Sequence, residues 1–121
     1  MLVAQRLRVI VIAILLLNAV AGSGDTLESL SSTIQARRWL VSGRVQGVGF
    51  RAFVEYNANR LGVNGWVRNE DDGRVQVYAI GTPDQLHRLT ALLYQGPRFA
   101  EVRGVEEQEA PVQQLNSFRL E

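Results

Sequence analysis

Residues 64–80 read NGWVRNEDDGRVQVYAI, and their layout decides the fold. Residues 64–69 are a short apolar and polar mix suited to a strand. Glu70-Asp71-Asp72-Gly73 is an acidic turn that ends in the Asp-Gly hairpin signal. Residues 74–80 then alternate, with Val75, Val77 and Ala79 on one side and Arg74, Gln76 and Tyr78 on the other. That period of two predicts a half-buried strand, antiparallel to the one before it.

The flanks extend this hairpin into a complete domain. Upstream, residues 38–44 (RWLVSGR) are rich in aromatic and β-branched types and predict a strand. Residues 51–61 carry apolar side chains at helical spacing behind Phe50, at Phe53, Val54, Ala58 and Leu61, with Gly62 placed to stop the helix. Downstream, Thr82-Pro83-Asp84-Gln85 opens a second helix. Thr82 is its N-cap, Pro83 its first helical residue, and Gln85 the third position of a capping box. Leu86, Leu89, Leu92 and Leu93 form its apolar face, and Gly96-Pro97 ends it. In residues 99–107 the apolar parity changes at Gly104, which predicts a β-bulge. A short strand is expected at 117–120. The order strand, helix, strand, strand, helix, strand is the split βαβ, ferredoxin-like α+β sandwich (βαββαβ). It predicts one antiparallel sheet with two helices on one face, with room for a short fifth strand at the C-terminal end.

The N-terminal residues are of another kind. Residues 1–21, MLVAQRLRVIVIAILLLNAVA, have Arg6 and Arg8, an apolar run from Val9 to Leu17, and Ala19 and Ala21 at the spacing an export peptidase inspects. This is the layout of a signal peptide, and the run is short for a spanning helix of ~20 residues. Export to the periplasm or medium is the expectation, with an uncleaved membrane anchor as the alternative. Residues 22–36 are rich in Gly, Ser and Thr and predict a linker, so the compact domain is expected at 37–121.

Composition narrows the chemistry. The 121 residues contain no cysteine and one histidine, His87, and all 13 basic residues are arginine. Disulfide frameworks, thiol nucleophiles, thiolate or multi-histidine metal sites and lysine Schiff bases are excluded. The formal charge of +1 lacks the basic excess of a non-specific nucleic-acid binder. Cleavage after Ala21 would remove two arginines and no acids, leaving 11 basic against 12 acidic residues. His87 reads as a surface residue, Trp66 as sheet packing, and residues 70–72 as a solvated turn.

The chemistry then falls to residues 43–51, GRVQGVGFR, between the first strand and the first helix. Gly47 and Gly49 let backbone N–H groups converge. The helix start adds unpaired N–H groups and the positive end of its dipole, and Arg51 adds a planar fork of donors. These parts suit a tetrahedral anion. Residues 47–52 also satisfy the dinucleotide pattern G-x-G-x-x-A. The following strand, however, enters a hairpin where a dinucleotide fold needs a second crossover. A phosphate loop of the Walker type fails for want of Gly-Lys-Ser/Thr. An RNA-binding reading of the same element order offers only Tyr78 on the relevant strand.

Residues 43–51 followed by 65–69 (GWVRN) resemble the acylphosphatase family, and the resemblance runs from about residue 39 to 120. It implies a ferredoxin-like fold and hydrolysis of an acyl phosphate to a carboxylate and inorganic phosphate. Arg51 is implied as the substrate-binding arginine and Asn69 as the residue that positions the attacking water. The backbone of Gln46, Gly47, Val48, Gly49, Phe50 and Arg51 is implied as the phosphate cradle. No metal and no cofactor are expected. The expected partner is a small-molecule acyl phosphate, with no nucleic acid, and a membrane only through the N-terminal segment. A monomer is expected. The alternative is a module of the same fold that binds an anion or a protein without turnover.

Overall fold

A computed structural model describes residues 33–121; the expected signal segment, 1–21, and most of the expected linker, 22–32, lie outside the described residues. The elements are β1 (Gln35–Arg44), α1 (Phe50–Leu61), β2 (Asn64–Asn69), β3 (Val75–Gly81), α2 (Pro83–Gln95), β4 (Glu101–Ala110) and β5 (Phe118–Leu120). The sheet order is β4-β1-β3-β2-β5. The neighbours among β1 to β4 are all antiparallel, and β5 adds to β2 in parallel. This is the ferredoxin-like sandwich. The fifth strand is parallel because the chain crosses from β4 on one edge to β2 on the other before it pairs.

Strand parity builds the core. Trp39 and Val41 of β1, Val67 of β2, and Val75, Val77 and Ala79 of β3 form one buried cluster with Val54 and Ala58 of α1 and Leu86, Leu89 and Leu93 of α2. Both helices therefore cover the same face. Each of these leucines contributes roughly 1.5–3 kcal/mol through burial. The start of α2 is as its sequence dictates: Gln85 N donates to Thr82 Oγ1 (3.2 Å), and Thr82 N donates to Gln85 Oε1 (2.9 Å). Gln85 Nε2 also donates to Leu61 O at 2.8 Å, tying the end of α1 to the start of α2.

Three details differ from the expectation. First, β3 is buried on both faces and not half-buried, with Tyr78 fully inaccessible. The β4–β5 connection straps the second face. Tyr78 Oη donates to Pro111 O (2.6 Å) and accepts from Gln113 N (2.8 Å). Trp66 stacks on Tyr78 with ring centroids 5.7 Å apart, and Ala36, Ile80, Ala110 and Leu115 close the patch. Both rings of this stacked pair are therefore buried. Second, β1 begins at Gln35, ahead of the expected residue 38, because Ala36 is buried there and its backbone pairs with Ile80 and Ala110 on either side. Gln35 and Ala36 thus stand in a strand although they lie within the expected linker. Third, the bulge falls one residue early. Ser42 pairs with Gly104 and Gly43 with Val102, so Arg103 is the extra residue.

Candidate active site

The loop between β1 and α1 is pinned at both ends. Val45 and Phe50 are buried, and Val48 packs against the same core. Between these anchors Gly47 and Gly49 adopt left-handed conformations, with φ 73° and 81°. A Cβ at either position would meet no atom within 4 Å. Glycine is needed there for backbone conformation and not for space.

Gly49 directly precedes α1, and no side chain caps the helix. Its first turn carries no acidic residue. The N–H groups of that turn have no partners within the helix, and they sit at the positive end of its dipole. The second helix is the opposite, closed by a capping box with Asp84 in its first turn. Arg51 projects from the open first turn. Its Nη1 donates to the main-chain oxygen of Glu121 at 2.6 Å, so one donor of the fork is held and the rest are left for a ligand.

Asn69 is the last residue of β2. It shares the parity of Val67, which is buried under the helices, and so faces the loop side of the sheet. Arg51 and Asn69 meet in a pocket of about 170 Å³ lined by Val45, Gly47, Gly49, Phe50, Arg51, Ala52, Asn69 and Leu120. Of the expected site residues, Gly47, Gly49, Phe50, Arg51 and Asn69 come together here. Gln46 and Val48 are not on the wall. The Gln46 side chain turns to the β2–β3 hairpin, and Val48 to the core. Val45, Ala52 and Leu120 were not foreseen. Leu120 arrives because β5 pairs with β2 in the register Val67↔Leu120, which no local signal in the sequence reveals.

Two acids of the hairpin, Glu70 and Asp72, are paired with arginines. Arg68 Nε donates to Glu70 at 3.0 Å while its guanidinium lies over the Trp66 ring. Hydrogen bonds from Arg74 hold the Asp72 carboxyl below the usual carboxylate range, and Asp72 in turn raises Arg74. A larger hollow, of about 380 Å³, is lined by Arg37, Pro83, Asp84, His87 and Glu107. There Arg37 is already paired with Glu107, and none of the expected site residues is present.

Comparison with known proteins bears on the family and the fold. The acylphosphatase family model matches residues 37–120. A curated acylphosphatase from Solibacter usitatus is 54% identical over 93 residues, covering 77% of this chain and 97% of that relative. The solved acylphosphatase from Coxiella burnetii superposes with a TM-score of 0.71 at 38% identity, covering 73% of this chain and 93% of that one. That from Bacillus subtilis gives 0.70 at 35% identity, covering 73% and 98%. The chain belongs to the acylphosphatase family, and is an enzyme that hydrolyses acyl phosphates.

Proposed function

We propose that Arg51 and the residue 46–51 loop hold the phosphoryl group, and that Asn69 orients the attacking water. One observation carries this reading: the uncapped start of α1, the left-handed Gly47 and Gly49, Arg51 and Asn69 line a single small pocket. Backbone N–H groups and the guanidinium donate to the phosphoryl oxygens. The Asn69 side-chain amide holds water on the side opposite the acyl oxygen. The water oxygen forms a bond to phosphorus, and the acyl oxygen–phosphorus bond breaks. The carboxylate leaves with the bonding pair, and a water proton passes to a phosphate oxygen. A carboxylate is a good leaving group, so no strong general acid is needed. Catalysis is then positioning and charge stabilisation, a scheme that asks for no metal and no cofactor. Residues 1–21 support export of this activity, which N-terminal sequencing of the exported chain would test.

The test is hydrolysis of benzoyl phosphate by the 121-residue chain. Arg51→Ala is expected to raise KM and lower kcat, because it removes contacts made before and during the reaction. Asn69→Ala is expected to lower kcat by about 10²-fold or more with KM near native, as befits a group that only places the water. Activity that survives Asn69→Ala refutes the water-positioning role. A native chain that binds phosphate through Arg51 but hydrolyses nothing is a binding module.

A further inference from the structure

The two halves of the site sit on different elements. The loop and Arg51 belong to the β1–α1 connection, and Asn69 to the end of β2. Something must fix their separation, since an in-line attack tolerates little error. The Gln46 side chain spans this gap. Its Nε2 donates to Glu70 O at 2.8 Å and to Arg74 O at 2.9 Å. Glu70 follows Asn69 in the chain, and Arg74 precedes Val75, the residue that pairs with Asn69. Glu70 N also donates to Arg74 O at 2.8 Å, so both acceptors belong to the rung that closes the hairpin beside Asn69. The far side of Glu70 is held as well: its carboxylate accepts from Arg68 Nε and from Gln76 Nε2, each at 3.0 Å. Glu70 is thus fixed through its backbone by the loop and through its side chain by the sheet.

We infer that Gln46 is the positioning residue that sets the phosphate loop against Asn69, through a side chain that, unlike its backbone, takes no part in the anion cradle. The inference rests on the proposed roles of Arg51 and Asn69. Both N–H groups of one amide are spent on the hairpin, which leaves that side chain no donor for phosphate. The two acceptors are main-chain oxygens, so the tie constrains the hairpin backbone itself.

Gln46→Met keeps the length of the side chain and removes both donors. The expected result is a kcat lower by about 10- to 100-fold, the scale of a misplacement of about 1 Å. KM and inhibition by inorganic phosphate should stay within about threefold, because Arg51 and the loop amides remain. Combining it with Asn69→Ala should add little further loss, since both changes remove the same placement. Gln46→Glu supplies a pH readout. Ionised, it faces two carbonyl oxygens with no proton to give; protonated, it can donate once. Its kcat relative to the native chain should therefore recover as the pH falls from about 8 to about 5. A rise in KM equal to the fall in kcat, or full additivity with Asn69→Ala, overturns the proposal. A ligand-free measurement separates it from the functional reading. In NMR spectra of the folded chain, the Asn69 side-chain NH₂ signals should move or broaden in Gln46→Met while Gly47 and Gly49 stay near their native positions. If the native chain hydrolyses no acyl phosphate, the functional reading fails, and unchanged Asn69 signals would by themselves overturn the role of Gln46.

Discussion

Replacing Tyr78 by Phe tests whether the strap over the second sheet face is held by one hydroxyl. That hydroxyl donates to Pro111 O at 2.6 Å and accepts from Gln113 N at 2.8 Å, on a side chain with no exposed surface. The ring of Phe still stacks on Trp66, so the change removes two hydrogen bonds and almost no packing. An unpaired buried partner costs about 1–3 kcal/mol. Residues 111–114 are exposed, so water can reach the freed groups and the lower end applies. The sum is about 2 kcal/mol. For a domain of this size that lowers Tm by about 8–16 °C, read by circular dichroism of the 121-residue chain. The site should survive at 25 °C. Phe118 buries itself independently of the strap, and β5 keeps the Gly65 N to Ser117 O and Glu121 N to Val67 O bonds. The kcat/KM for benzoyl phosphate is therefore expected within about twofold of native while the variant is folded. A Tm change below about 2 °C would show that the hydroxyl does not hold the strap, and the reasoning fails.

Gly49→Ala places a side chain at φ 81°, where the surroundings have room but the backbone does not favour it. A stability loss of about 1–2 kcal/mol is expected from denaturant midpoints, together with weaker inhibition by inorganic phosphate as the loop relaxes. Unchanged phosphate affinity would mean that the loop does not need the left-handed turn. Asp72→Asn probes the hairpin tip, where Arg74 depresses the carboxyl below its ordinary value of 3.8. A depressed folded-state pKa stabilises above the unfolded value, and the gain is lost as the pH falls through the folded one. The variant should be slightly less stable than native at neutral pH, with the gap closing below pH 3.8. A gap independent of pH in urea unfolding would show that the effect does not come from the Asp72 charge.

Much of the fold was legible because its signals are local. The Asp-Gly turn, the Thr82–Gln85 capping box and the leucine spacing of α2 each act within a few residues, and each stands where the sequence puts it. Within the site, Gly47, Gly49 and Arg51 were legible as one connected loop. Asn69 was legible only through the resemblance, since a lone asparagine at a strand end carries no signal of its own. The two-sided burial of β3 was not legible. Alternation in residues 74–80 reports one apolar face, and Tyr78 sits on the other, where a distant strap covers it.

The sequence by itself determined the element order, the anion-suited loop and the narrow chemistry left to a chain without cysteine or lysine. These follow from backbone preferences and side-chain inventory, which neighbours along the chain settle. Only the tertiary structure decided that Leu120 completes the pocket wall, that Glu121 holds one donor of Arg51, and that Gln46 reaches the hairpin. Those contacts join residues 24 to 70 positions apart. They exist because the parallel docking of β5 and the β2–β3 rung bring polar groups to one end of the sheet, and no local period encodes that meeting.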